Sequence, residues 1–181
     1  NDKFTNVKFV IAEVGQLKLT INKRNVTLTS ASDSKVYDGT ALAKPEVTVT
    51  GDGFVPGEAT NIKATGSVTN VSDGEVTNTI TYNEGANFKA DNYEITTTEG
   101  KLTITKRSVT LTSETANKVY DGTPLTKPEV TVTGDGFVTG EVTDIKAPGT
   151  ITDVGTVTNT ITFAKGEKFK DSNYAITKTE G

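Results

Sequence analysis

The chain has 181 residues, only 33% of them apolar, a formal charge of −4, and no Cys, His, Met or Trp. That inventory excludes disulfide frameworks, thiolate nucleophiles, His/Cys metal sites and histidine acid–base chemistry. The acidic balance, without any Lys/Arg-rich run, speaks against nucleic acid or an anionic membrane as partner, and the Thr, Gly, Asn and Asp that replace apolar residues suit strands with one wet face and many turns.

In chain order, residues 1–22 read as the closing strands of a preceding repeat. Lys18-Leu19-Thr20-Ile21, followed by Lys23-Arg24, returns as Lys101-Leu102-Thr103-Ile104, followed by Lys106-Arg107. From Lys23 onward one unit is written twice. Lys35-Val36-Tyr37-Asp38-Gly39-Thr40 recurs unchanged as Lys118–Thr123, 83 residues on, and residues 23–71 match 106–154 at 35 of 49 positions. Repetition at this level means that both copies share one fold. The expected units are 23–105 and 106–181, each of roughly 80 residues and small enough to depend on a regular core. The second unit stops before a counterpart of Lys101–Ile104. Either it is one strand short, or the boundary falls near Gly100 instead of Thr105.

Within each unit the period-two alternation of apolar and polar residues predicts short strands. The first is Val26–Thr29, echoed by Val109–Thr112. Asp38-Gly39 is a turn signal, with Val36 and Tyr37 expected to pack inward ahead of it. Glu46–Thr50 follows Pro45. Asn61–Thr69 is a strand with a bend or bulge at Gly66, and Glu75–Tyr82 is its partner. Val71–Glu75 is a hairpin tip, because the second copy is two residues shorter there. Asn92–Thr96 and Lys101–Ile104 complete the set. No window shows helical periodicity. The fold expected is all-β: two tandem Ig-like antiparallel β-sandwich repeats in an elongated arrangement, with a β-grasp-like or other small mixed-sheet repeat as the alternative. Lys106-Arg107 lies at a junction with no Gly/Ser linker, which restricts motion between units.

Candidate chemistry is sparse. Tyr37 with Asp38, and Tyr120 with Asp121, pair a phenol with one carboxylate. Glycosidase chemistry needs a second carboxylate about 5–9.5 Å away, and nothing in the sequence brings Asp52 there; the simpler reading is a tight turn beside a buried Tyr. Gly51-Asp52-Gly53 and Ser72-Asp73-Gly74-Glu75 lack the alternating carboxylates of a calcium loop. The Thr-X-Thr triplets are ordinary solvent-face strand residues. Lys35, Glu46, Asn78 and Asn92 all recur in the second copy and carry the functional groups of a Lys–Asn isopeptide bond, which requires burial that recurrence does not supply. No catalytic, metal or cofactor residue is assigned.

Thr105–Ser113, Lys118–Thr123 and Gly134-Asp-Gly-Phe-Val-Thr-Gly-Glu141 together resemble the MBG or YDG tandem repeats of large exported bacterial surface proteins. The resemblance covers residues 23–181. It implies a non-catalytic stalk module of an adhesin-like protein, extracellular and attached to the cell wall, with secretion and anchoring signals elsewhere in the polypeptide. The implied partners are neighbouring repeats of the same chain. The alternative is that the repeats themselves bind a host glycan or protein through their turn loops. No nucleic acid, membrane insertion or oligomer is expected.

Overall fold

The computed structural model describes residues 18–181, so the expectation for 1–17 lies outside the described residues. Among the described residues the protein is all-β, with single 3-10 turns at Val71–Asp73, Ala90–Asn92 and Asp171–Asn173 and no α-helix. The first unit carries β1 (Arg24–Ser30), β2 (Asp33–Val36), β3 (Leu42–Ala43), β4 (Val47–Gly51), β5 (Ala59–Ala64), β6 (Ser67–Val68), β7 (Val76–Asn78), β8 (Ile80–Glu84), β9 (Tyr93–Thr98) and β10 (Gly100–Thr105). The second carries β11 (Arg107–Ser113), β12 (Leu125–Thr126), β13 (Val130–Gly134), β14 (Val142–Lys146), β15 (Thr150–Ile151), β16 (Thr162–Lys165) and β17 (Tyr174–Thr179).

Alternation works as the sequence predicts in β1. Val26, Leu28 and Ser30 are buried while Thr29 faces water, and β11 repeats the pattern with Val109, Leu111 and Ser113. Partner choice differs from the expectation. β1 lies between β4, antiparallel, and β9, parallel; β10 lies between β7, antiparallel, and β2, parallel. The purely antiparallel arrangement is therefore corrected to mixed sheets. Period-two alternation is the same for parallel and antiparallel partners, so a single strand's sequence does not reveal the direction of its neighbour. β11 repeats the arrangement of β1, between β13 and β17.

Two further local expectations change. The single strand predicted over Glu75–Tyr82 is split at Thr79, because β7 pairs with β10 whereas β8 pairs with β5. The bulge predicted at Gly66 sits earlier: the β5–β8 register shifts between Thr60 and Lys63, where Asn61 has φ 51°, and Asp144 in β14 has φ 53°. Asn and Asp are the non-glycine residues that best tolerate this left-handed backbone. Gly66 serves close approach instead, since a Cβ there would lie 2.6 Å from Asn78 Cα.

The core is not divided at the repeat boundary. One buried cluster joins Val26, Leu28 and Tyr93 with Phe54, Tyr82 and Phe88, all from the β4-β1-β9 and β5-β8 part of unit 1. The other joins Tyr37, Leu42, Val68, Leu102 and Ile104 of unit 1 to Val109, Leu111, Ile161 and Tyr174 of unit 2. The part of unit 1 around β10 thus shares its apolar core with the part of unit 2 around β11.

Candidate functional site

The most elaborate polar arrangement in the protein lies on that shared core. Thr105 ends β10 and Arg107 begins β11, so a single residue, Lys106, separates the last strand of unit 1 from the first of unit 2. β10 enters unit 1 between β2 and β7, its Leu102 and Ile104 fully buried, and its last carbonyl, that of Thr105, accepts from Tyr37 N at 2.9 Å. This bond fixes the Asp-Gly turn to the end of β10, next to the start of unit 2. Arg107 closes the same corner: Nη1 donates to Tyr37 O at 3.2 Å and Nε to Gly136 O at 2.7 Å, and Nη2 donates to Asp135 O.

Tyr37 points out of its own unit. The hydroxyl donates to Glu141 Oε1 at 2.6 Å, while Tyr174 Oη donates to Glu141 Oε2 at 2.7 Å and accepts from Val138 N at 3.1 Å. The two tyrosine rings meet edge to face with centroids 5.7 Å apart, a favourable aromatic geometry. Glu141 is itself buried, and a buried carboxylate needs partners on its oxygens; the two phenols supply one each. Burial, and then the Glu141 carboxylate, push Tyr37 up to about 12 and raise Tyr174 from the ordinary tyrosine value for the same two reasons. A second contact runs alongside. Asn173, fully buried, accepts from Val71 N at 2.9 Å and donates to Asn70 Oδ1 at 3.1 Å.

The sequence-derived candidates fall as follows. Val36 is exposed instead of packed inward, and Tyr37 is buried, against the neighbouring unit instead of its own corner. Tyr120 is 62% exposed, so the burial expected of it beside its turn is corrected too. Tyr37 is buried by residues of the following unit, Glu141 and Tyr174 among them, and not by its own turn. Asp38 accepts from Lys35 Nζ at 2.8 Å and from Thr40 N and Oγ1. Lys35 and these Thr40 bonds hold its carboxyl down to about 2, and Lys118 and Thr123 lower Asp121 in the same way. Asp52 is engaged elsewhere, accepting from Asn25 N at 3.0 Å. Among the described residues no group of three acidic side chains is placed to hold a metal ion.

The residues of the isopeptide reading also separate. Lys35 is bound to Asp38 and Thr40, and Glu46 and Asn92 are exposed. Asn78 instead forms a buried hub, donating to Ala31 O and Lys44 O and accepting from Gly66 N; Asn159 makes the same three bonds in unit 2. Asn78 and Asn159 are therefore structural groups that tie three loops together.

Sequence reasoning passed over Glu141 and Arg107. Their signal was present: Glu58 and Glu141 both close the Gly-Asp-Gly-Phe-Val-X-Gly-Glu motif, and an acid retained beside Phe and Val in both copies suggests a buried role. No protein-family model, curated protein or solved structure matches the chain.

Proposed function

We propose that this chain is a non-catalytic stalk segment of a bacterial cell-surface, adhesin-like protein, in which tandem sandwich-type repeats hold a binding domain away from the cell. The observation that carries this reading is the junction. Consecutive units share one apolar cluster and a Tyr37–Glu141–Tyr174 hydrogen-bonded bridge, with one residue of chain between their strands. A spacer must transmit orientation from unit to unit, and a junction with buried hydrogen bonds restricts hinge motion where a flexible linker would not. The non-catalytic part of the reading is supported by the fate of the conspicuous carboxylates: Asp38 and Asp121 are consumed in closing their own turns. The cell-surface setting rests on the resemblance to MBG or YDG repeats.

Small-angle scattering tests the spacer directly. A compact globule of this length has a radius of gyration of about 16 Å, and a single unit about 12 Å. Two units held in series give a value well above that of the globule, with little change on replacing water by mild osmolyte. A measured radius matching the globule removes the stalk reading.

A further inference from the structure

We propose that the outer face of the β4-β1-β9 sheet, together with its copy on β13-β11-β17, binds ice. The Thr-X-Thr triplets are scattered along the chain, but each of these sheets brings three of them side by side. Thr27 of β1 stands opposite Thr50 of β4 and Thr96 of β9, and Thr29 stands opposite Thr48 and Thr98. In unit 2 the rows are Thr133-Thr110-Thr177 and Thr131-Thr112-Thr179. Each unit thus carries two rows of three threonines, lying wholly within that unit. Directly opposed residues share one face of a sheet, and Val26, Leu28 and Tyr93 occupy the other face, toward the core. All the threonines of both arrays are exposed except Thr27 and Thr110, which are half-buried.

The chemistry of the arrays selects the occupant. Cross-strand threonines can stabilise a sheet by bonding to each other, but none of these hydroxyls has a hydrogen-bond partner among the described residues, whereas those of Thr65, Thr81, Thr105 and Thr162 are tied to carbonyl oxygens. Branching at Cβ restricts χ1, so the free hydroxyls are held in place with little rotamer entropy left to lose. Each offers one donor and two acceptor sites, as a water molecule at a lattice point both donates and accepts. The array repeats every two residues along the strands, about 6.6–6.8 Å, and from strand to strand at about 4.8 Å. These two repeats are close to those of the oxygens on a prism face of hexagonal ice.

No charged or aromatic side chain stands inside either array, and the rings of Phe54, Phe88 and Tyr93 belong to the core on the opposite side of the sheet. A charged partner therefore meets no counter-charge and a sugar meets no ring to stack on, which leaves ordered water. Sheet twist turns neighbouring strands by about 20–25° and limits the match to a few strands, so each array is a weak ligand alone. Two arrays on one chain offset this by multivalent attachment. Ice binding goes beyond the spacer role and does not depend on it.

Partition of the 181-residue chain into a slowly grown ice hemisphere, read by tyrosine absorbance of the melted ice, tests the proposal. Wild type should be several-fold enriched in the ice relative to a non-binding protein of the same size. Thr29→Tyr with Thr112→Tyr puts a ring in the middle of each array and should abolish the enrichment, with either substitution alone lowering it. Tyr is a good strand residue, and an unchanged melting temperature shows that the sheets are intact. Thr48→Tyr with Thr131→Tyr, on the edge strands of the same rows, should have the same effect. Thr60→Tyr with Thr143→Tyr, at exposed threonines outside the arrays, should change nothing. Wild type rejected by growing ice overturns the proposal, as does enrichment that survives Thr29→Tyr with Thr112→Tyr or that falls equally with Thr60→Tyr and Thr143→Tyr. So does a chain that ice rejects but microcrystalline cellulose retains through the same threonines, because the lattice recognised is then a polysaccharide.

Discussion

Tyr37 and Tyr120 occupy the same position in the same hexapeptide, with the same Lys, Asp and Thr around them, yet Tyr37 is 3% exposed and Tyr120 is 62% exposed. The local turn does not differ. Lys35 Nζ to Asp38 and Lys118 Nζ to Asp121 are both 2.8 Å, and Gly39 and Gly122 have φ of 83° and 79°. What differs is the neighbour. Behind Gly39 stands Val138 of unit 2, 3.2 Å from where a Cβ would be; behind Gly122 nothing lies within 4 Å. The turn is built by its own six residues, and the burial of its tyrosine is conferred by the next unit.

The comparison is broken most severely at Leu102. Leu102→Ala removes a fully buried side chain from the shared cluster and should cost about 2–5 kcal/mol, read as a lower urea midpoint. Leu19→Ala, in the same tetrapeptide, should leave the single copy's stability unchanged within about 0.5 kcal/mol. Tyr37→Phe comes next. It strips a hydrogen bond from buried Glu141 and leaves Oε1 unpartnered, at about 1–3 kcal/mol, whereas Tyr120→Phe should be silent in the same denaturation experiment.

Alkali should attack one side of the comparison only. The folded-state values of Tyr37 and Tyr174 are raised above the ordinary 10.0. Their contribution is thus fully present below pH 10 and is lost as pH rises above it, through about 12 for Tyr37. Ultraviolet titration of the tyrosines alongside circular dichroism should show the junction failing as Tyr37 ionises near pH 12, with that step reduced in Tyr37→Phe. Smaller still is the glycine pair. Gly39→Ala and Gly122→Ala both strain a left-handed position by about 1 kcal/mol, and Gly39→Ala should exceed its partner by the cost of moving Val138, visible as a lower melting temperature.

The smallest effect should fall on both units alike. Asp38 and Asp121 have depressed folded values, so the stability they lend is present above 3.8 and is lost as pH falls below it, through about 2 for Asp38. Both carboxylates are half exposed and screened by solvent. Asp38→Asn and Asp121→Asn should therefore give matching, shallow acid-melting curves, and an inequality between them would show that the turns are not locally determined.

The sequence by itself determined the elements and the repeat. The alternation in Val26–Thr29 placed buried and wet faces and Asp38-Gly39 marked its turn, because these features depend on residues adjacent in the chain; the hairpin tip expected over Val71–Glu75 is instead a 3-10 turn between β6 and β7, which pair with β3 and β10 and not with each other. Only the tertiary structure decided the rest. That β1 lies parallel to β9, that Glu75–Tyr82 is divided between two partners, that Asn78 is a hub instead of a bond-forming site, and that Tyr37 reaches Glu141 across 104 positions all depend on groups distant in sequence. The repeat makes the reason explicit: one hexapeptide, present twice, has its tyrosine buried in the first copy and exposed in the second, so the burial is set by what is packed against it and not by its own residues.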